Sequence, residues 1–576
     1  MIFETDLNMC GIWGYILKNR SDLTDDMKAR LYSSFIRIKH RGPDRSDFIE
    51  FDLLLPFFLG FHRLAVMDKT TNGDQPFVCE WKGRTIYSLC NGEIYSYKRL
   101  REKYNLPMKS DSDCEVIPLI YREYGIDTLI DEIKDGEFAF TILDIDIERR
   151  KMTVYLVHDP TGVRPLFIGQ DDFSLCFSSE LQSIVNVVDQ SSIQLFPPGT
   201  YMRFDFSVDL DGSCTVQQDI KTYYNFDTIP PFLEPAGLDV FDPKYLDATC
   251  GKIKSTLEQA VIGMLAADRP VGALLSGGLD SSLVVGIASK YLRENGGKKL
   301  RTFSIGMPGG TDGPYAQQVA DFCGTDHTHF ELSSEDFLGA ITDVIHAIGS
   351  YDITTVRASV GQYLVVKKIA QETDITVLLI GDGSDELCSG YMYFHKAPTP
   401  EESHYENCRL LKEIGFYDVM RADRGVARHG LEARCPFLSL SFIDLYLKLD
   451  CRLRIPVEGV EKWLLRRAFA GTKTIPEDVR LRAKCAFSDG VSKKEKSWFQ
   501  ICGENAQKLY TPQDLEESRT KYQHVPPYTY ESLFYRKTFE EYFGNVSHVI
   551  PHIWLPKWCG DISEPSARVL DVCREE

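Results

Sequence analysis

From about Tyr245 onward, helix-length segments alternate with short apolar runs at 271–275, 301–305, 327–332 and 375–380. Strands separated by helices cannot pair as hairpins, so this alternation predicts a parallel, doubly wound sheet. The first of these strands runs into Ser276-Gly277-Gly278-Leu279-Asp280-Ser281-Ser282, and a helical stretch follows. Paired glycines between a strand and a helix let backbone N–H groups approach phosphate oxygens, and the helix N-terminus favours the anion. Asp280 could then hold Mg²⁺, which prefers carboxylate and phosphate oxygens. It is not a Walker A loop, because no Gly-Lys-Ser/Thr follows. The bland reading, a turn with a Ser or Asp helix cap, stays open for the loop alone.

The first part of the chain has a different texture. Residues 10–202 carry short apolar runs at 84–89, 138–144, 152–157 and 174–177, bounded by Gly, Pro, Asn and Asp, which predicts a many-stranded sheet domain. The tract at 204–243, with Asp-rich turns and Pro230-Pro231, reads as a linker holding a strand or two. The charge-dense stretch 144–150 reads as a solvated hairpin turn. Several function classes are disfavoured. A net charge of −19 argues against a nucleic-acid partner, whose affinity rests on neutralising phosphates. The most apolar stretch, 51–61, contains Asp52 and Pro56 and falls short of the roughly 20 residues that cross a bilayer, so no membrane partner is expected. The 16 cysteines include no Cys-x-x-Cys pair, and Met1 to Met9 has neither a basic start nor an apolar core. A reduced, cytoplasmic protein without a zinc framework is the expectation.

Cys10 opens the run Cys10-Gly11-Ile12-Trp13-Gly14-Tyr15, a small nucleophile before a glycine-punctuated strand. At a new N-terminus it would carry a thiol and an α-amine together. The amine, with a reference pKa of about 7.7–8.0, could take the thiol proton during attack on a carbonyl. Residues 1–9 would then be a removed leader, or an upstream extension if Met9 is the initiator. A buried strand cysteine is the competing reading.

The nucleophile and the phosphate loop together resemble the glutamine-hydrolysing asparagine synthetases. The resemblance runs in order through Arg41-Gly42-Pro43-Asp44, His62-Arg63-Leu64, Asn91-Gly92-Glu93-Ile94-Tyr95, Ser112-Asp113-Cys114-Glu115, Gly381-Asp382-Gly383-Ser384-Asp385-Glu386, Tyr393-Phe394-His395-Lys396-Ala397-Pro398, Phe487-Ser488-Asp489-Gly490-Val491 and Pro565-Ser566-Ala567-Arg568. It implies an α+β N-terminal-nucleophile sandwich domain over 10–202, a linker at 203–243, an α/β doubly wound ATP-pyrophosphatase domain over 244–560 and a C-terminal tail at 561–576.

The resemblance also implies roles. Cys10 would attack the glutamine amide, with Asn91 and Gly92 as the oxyanion pair. Arg63 would read the α-carboxylate and Asp113 the α-ammonium, and the Leu64, Ala65, Val66, Met67 backbone and Glu93 would line the pocket. In the second domain Ser276, Gly277, Gly278, Asp280 and Ser281 would cradle pyrophosphate. Leu275, Ile305, Ile380 and Gly381 would flank the nucleotide, Asp280 and Asp385 would hold Mg²⁺, and Lys484 would neutralise phosphate charge. Arg357 and the segment 432–437 match positions near the aspartate and nucleotide pocket. The implied substrates are glutamine, aspartate and ATP, joined through β-aspartyl-AMP, with ammonia carried by a buried interdomain tunnel. The oligomeric state, a homodimer included, stays open.

Four departures from the family pattern are visible, expected around the synthetase pocket. Asp382 stands for the Glu thought to act as base on ammonia, Ile380 for a Ser, Cys388-Ser389 for Phe-Gly, and Ser439 for Asp. They keep two alternatives in play: a ligase of this architecture on another carboxylate, β-lactam synthetase-like, and a relative without synthetase activity. The first is weakened by Cys10, since ring closure needs no external ammonia; the second by the intact loop, Asp385 and Lys484.

Overall fold

The computed structural model describes residues 10–20, 23–493, 495–560, 562 and 564–566. The leader expected at 1–9 and most of the tail at 561–576 lie outside the described residues. Two six-stranded antiparallel sheets build the N-terminal half. One runs Gln194–Leu195, Phe167–Gln170, Ser174–Ser178, Gly11–Leu17, Pro56–Arg63, Arg45–Asp52 across the sheet, and the other Cys214–Thr222, Thr200–Val208, Lys151–His158, Glu137–Asp146, Arg84–Glu93, Phe77–Trp81.

The strand period of two explains the layering. In Gly11–Leu17, Ile12 and Ile16 point between the sheets, where they meet Phe57, Leu89, Leu143 and Val154. Trp13, Tyr15 and Leu17 point outward and pack with Leu31 and Phe35 of helix Asp25–Ile36. The second sheet is covered on its outer face by Tyr97–Tyr104 and Val116–Ile133, through Leu100, Ile117, Ile120 and Leu129 against Ile86, Phe140 and Ile142. Strands buried on both faces read as continuous apolar runs. Truncating a side chain such as Leu89, fully buried between the sheets, to Ala costs about 2–5 kcal/mol.

The tract expected as a linker begins with two strands that pair with each other and onto Lys151–His158, extending the second sheet. The stretch without strands is 223–242. It ends at Asp242, whose carboxylate accepts from Lys244 N (2.9 Å) and Tyr245 N (3.3 Å) and, with Pro243 in the first turn, starts helix Pro243–Gly263.

The second half is built on a five-stranded parallel sheet ordered Asp326–Glu331, Arg301–Gly306, Val271–Leu274, Val377–Leu379, Glu432–Arg434. The chain lays Val271–Leu274 in the middle, adds two strands on one side, then crosses to Val377–Leu379 on the other. The crevice at that reversal is where a doubly wound sheet binds its ligand. The loops after Val271–Leu274 and Val377–Leu379 both open there. Among the described residues no helix is long and apolar enough to cross a membrane, and each cysteine is a free thiol.

Candidate functional site

Strand register positions Cys10. Gly11 pairs with His62, so Cys10 falls beside the end of strand Pro56–Arg63. There its Sγ accepts from Leu64 N at 3.3 Å and sits 3.4 Å from Leu64 O. Among the described residues no side chain hydrogen-bonds to the sulfur. Burial pushes the Cys10 thiol up to about 12; Leu64 N–H opposes that, Glu432 and Glu93 add to it, and Arg63 opposes. The thiol is therefore protonated near neutrality and would need a base to act as a nucleophile.

Asn91 and Gly92 end strand Arg84–Glu93. Asn91 is buried, and neither its Oδ1 nor its Nδ2 has a hydrogen-bond partner in the protein. An unpaired buried amide is costly, so its two polar atoms are free to bond a ligand. Gly92 has φ +151°, and a Cβ there would lie 2.1 Å from Glu137 O, so glycine alone fits. Arg63 is buried: Nη1 donates to Thr70 O (2.6 Å) and Asp74 Oδ1 (2.5 Å), and Nη2 to Asp68 O. Asp113, on the turn Asp113–Glu115, accepts from Ile94 N at 2.6 Å, and burial raises its pKa.

The segment 432–437 does not line the nucleotide cavity; it forms the contact with the first domain. Arg434 pairs with Glu93 (3.2 Å) and Glu432 (2.7 Å). Arg164 reaches Glu137 (2.8 Å) and Asp423 (3.2 Å), and Arg41, whose Nε donates to Cys10 O at 2.9 Å, pairs with Glu180 (2.9 Å) and Asp423 (2.7 Å). Removing one partner from such a buried set costs about 3–5 kcal/mol, because the other charge stays behind. Burial and Glu432 push the Glu93 pKa up, while Arg434 holds it down.

At the sheet's switch point one cavity is lined by Leu275, Ser276, Gly278, Asp280 and Ser281 from the first loop, and by Ile305. Ile380, Gly381, Asp382 and Asp385 line it from the second loop, and Lys484 closes it. Gly277 lies behind the lining with φ +73°, a Cβ there falling 2.5 Å from Ala316 N; its carbonyl accepts from Arg482 at 3.1 Å. Ser276 and Ser281 hydroxyls meet at 3.0 Å. Asp280 and Asp385 converge on one cation, the Lys462 ammonium, which reaches both Asp280 oxygens (2.7 and 2.8 Å) and Asp385 Oδ1 (2.6 Å). Lys484 takes Asp385 Oδ2 at 2.6 Å. Burial works against the Asp385 carboxylate, but Lys462 and Lys484 outweigh it and hold its pKa well below the ordinary range. Two carboxylates aimed at one cation fit Mg²⁺ shared with phosphate oxygens; no cluster of three or more His, Cys, Asp or Glu side chains suited to a metal occurs among the described residues.

Asp382 is held by one oxygen. Oδ1 accepts from Arg421 at 2.9 Å, while Oδ2 is buried without a partner. Burial raises its pKa, Arg421 opposing and Asp418 and Asp385 adding. Asp418 and Glu386 share the Tyr391 hydroxyl on the same wall.

The expectation that the departures cluster around this pocket is corrected. Ile380 and Asp382 line it, but Cys388, Ser389 and Ser439 do not. Ser389 bonds Asn407 Oδ1 at 3.2 Å. Ser439 precedes helix Leu440–Leu447 without capping it; Asp135 of the first domain does so instead, accepting from Ser439 Oγ (3.0 Å) and Leu440 N (2.6 Å). Arg357 is likewise absent from the lining, its guanidinium held by Glu531 (2.5 Å) and Glu564 (2.5 Å). Sequence reasoning missed Lys462, Arg421 and Asp418. Lys462 sits in a left-handed turn (φ +53°) with no local signature, and the other two come from an irregular helical segment far from either loop.

Comparison with known proteins agrees with both halves. The asparagine synthase family profile matches residues 252–408 and 396–548, and the glutamine amidotransferase domain profile matches 9–216. The chain is 39% identical over 575 residues to the asparagine synthetase [glutamine-hydrolyzing] of Gallus gallus, covering 98% of each chain. It is 37% identical over 569 residues to that of Homo sapiens, again covering 98% of each. A probable asparagine synthetase [glutamine-hydrolyzing] of Acanthamoeba polyphaga mimivirus is 36% identical over 542 residues, 93% of this chain and 96% of the viral one. With its pocket at Cys10 and its crevice at the 276–281 loop joined through a buried interface, the chain belongs to the family of glutamine-hydrolysing asparagine synthetases.

Proposed function

We propose that the protein makes asparagine from aspartate and ATP with ammonia drawn from glutamine, releasing glutamate, AMP and pyrophosphate. In the first half, Cys10 Sγ attacks the glutamine side-chain carbonyl while the freed α-amine of Cys10 takes the thiol proton. Asn91 Nδ2 and Gly92 N–H receive the charge developing on oxygen, a contribution of about 10²–10³ in kcat per donor. Collapse expels ammonia and leaves a thioester, which water cleaves to glutamate. Arg63 and Asp113 read the two charges of the amino-acid end.

In the second half the aspartate β-carboxylate attacks the ATP α-phosphorus, and pyrophosphate leaves into the Ser276–Ser281 loop. Asp280 and Asp385 would hold Mg²⁺ together with phosphate oxygens, where the ion when bound neutralises phosphate charge. Lys484 and Lys462 add positive charge along the same path. Ammonia then attacks the β-aspartyl-AMP acyl carbon, AMP departs, and Asp382 Oδ2 takes a proton from the nitrogen. The carboxylates Asp418 and Glu386 suit the substrate ammonium.

One observation carries the coupling of the halves. The Arg434 carbonyl accepts from Ile380 N of the nucleotide cavity at 3.0 Å, while its guanidinium pairs with Glu93 of the glutamine pocket at 3.2 Å. A single residue thus bonds to the walls of both sites, which supports a route for ammonia from one to the other. A β-lactam-forming ligase and an inactive relative are not favoured, given full-length identity of 39% and 37% to synthetases of asparagine. We assign the activity to the cytoplasm, on the free thiols, and leave a homodimer as an expectation for sizing experiments. The test is a pair of variants assayed with both nitrogen donors. Cys10→Ala should lose glutamine-dependent asparagine formation and keep the ammonia-dependent reaction; Asp280→Ala should lose both and keep glutaminase activity. A folded Cys10→Ala protein inactive with ammonia too would refute separate sites.

A further inference from the structure

The glutamine pocket is held from outside its own domain. Its strap at 64–68 follows the strand end that faces Cys10, and residues 268 and 269 bond along it. Arg269 Nε donates to Ala65 O (3.0 Å) and its Nη2 to Asp44 Oδ2 (2.9 Å), the same carboxylate oxygen that accepts from Ala65 N (2.8 Å). Asp268 N donates to Val66 O (3.0 Å), and Asp268 Oδ2 accepts from Asp68 N (3.0 Å). Leu64 and Val66 pack with Val377 and Ala427 of the second domain, and Cys10 and Val271 lie against the same cluster.

Asp68 is the hub of this strap. It sits in the left-handed region at φ +53°, a conformation that a non-glycine residue keeps only when its surroundings impose it. Its carbonyl accepts from Arg63 Nη2, and its carboxylate accepts from Thr70 N (2.9 Å) and Asp111 N (2.9 Å). Arg63 is the α-carboxylate reader, and Asp111 leads directly into Asp113, the α-ammonium reader. What Asp268 does to Asp68 is therefore passed to both ends of the substrate's amino-acid group. On its other side, Arg269 is followed by Pro270, strand Val271–Leu274 and the loop at 275–281.

We propose that Asp268 and Arg269, at the head of the synthetase domain's central strand, are positioning residues for glutamine, setting the geometry of the 64–68 strap and, through Asp68, of Arg63 and Asp113. The inference rests on the assignment of that pocket to glutamine. Stability is a poor explanation for the clamp: Arg269 is partly exposed, with side-chain exposure of 27%, and ion pairs of that kind contribute little to folding. Placement is a better one, since a small displacement of a substrate-orienting group is expensive in rate or affinity.

The experiment uses the full chain and four measurements on each variant: glutaminase KM and kcat, ammonia-dependent asparagine synthesis, and thermal unfolding. Asp268→Ala and Arg269→Ala should each raise the glutamine KM about tenfold or more, with glutaminase kcat and ammonia-dependent synthesis within about threefold of the parent. Asp268→Asn, which retains an oxygen for Asp68 N, should return the KM toward the parent value. An unchanged KM in both alanine variants would overturn the proposal. So would a parallel fall of ammonia-dependent synthesis and unfolding temperature, which would make the pair a simple interdomain fastener. Arg63→Lys and Asp113→Asn serve as controls for the underlying assignment. If they leave the glutamine KM untouched, the pocket is misassigned; if they raise it and the clamp variants do not, only the clamp is wrong.

Discussion

Asn91→Ala separates stability from activity in a way few substitutions do. The side chain is 1% exposed with both amide atoms unpaired. Leaving such atoms buried costs about 1–3 kcal/mol, which the alanine recovers. Against that, truncation opens roughly 30 Å³, worth about 0.7 kcal/mol at ~24 cal/mol per Å³. The balance puts the variant within about 1 kcal/mol of the parent or above it, whereas an average buried substitution costs about that much in the other direction. The catalytic loss is larger: one oxyanion donor is worth about 2.7–4 kcal/mol, or 10²–10³ in kcat. Glutamate release, ammonia-dependent asparagine formation and thermal unfolding measured on one preparation decide it. Glutaminase kcat should collapse, ammonia-dependent synthesis should persist, and the unfolding midpoint should hold. A midpoint falling by the equivalent of more than about 2 kcal/mol would make Asn91 a structural residue with a partner the amide does find. A kcat loss under about tenfold would remove it from the oxyanion site.

Other consequences can be read separately. Lys462→Met should abolish synthesis with either donor, because Asp280 and Asp385 then face each other without their shared cation; Mg²⁺ should raise its unfolding midpoint more than the parent's, and an equal shift would mean the two carboxylates do not share a metal. Asp382→Asn should still exchange pyrophosphate into ATP with aspartate yet form little asparagine, and a parent rate of synthesis would refute its role as base. Because burial raises the Asp382 pKa, the asparagine-forming step at fixed free ammonia should be lost as pH falls through a value above that of an ordinary carboxylate; a fall only at the ordinary carboxylate position would refute that environment. Intact mass of active enzyme should begin at Cys10, and a protein retaining residues 1–9 at full glutaminase rate would end the proposed role for its α-amine.

How much of this was legible in the sequence depends on distance along the chain. The strand-loop-helix around 276–282 was readable because an apolar strand before paired glycines and a helix after them leave a local pattern. The apolar runs at 84–89, 138–144, 152–157 and 174–177 each fall within strands because burial on both faces writes itself as uninterrupted hydrophobicity. Glu432–Arg434 was not recognised as a strand, being too short to show any period and charged at two of its three residues. Its charges are paired with Glu93 and Arg164, residues hundreds of positions away, and no local rule reports on such pairings. Lys462 shows the same limit: a lysine after Glu461 looks like any solvated charge until folding buries it beside Asp280 and Asp385.

The departures make the complementary case, since sequence order suggested one cluster and the structure sorts them by contact. Ser439 gives the helix it precedes no side-chain cap, and Asp135 supplies a carboxylate there from across the interface, so the substituted position is answered by a residue far away in the chain. Ser389 is absorbed into a polar contact with Asn407. Ile380 lines the cavity, and the bond that fixes it runs from its backbone N–H to Arg434 O, which any residue but proline can make. Only Asp382 changes the length of the group proposed to take a proton from the attacking nitrogen. There Arg421 takes one oxygen and leaves the other buried and unpaired, so the shorter side chain is held with its free oxygen in the cavity wall, and the burden of reach falls on the backbone between Gly381 and Gly383. Of the substituted positions, it is the one where activity, and not folding, records the change.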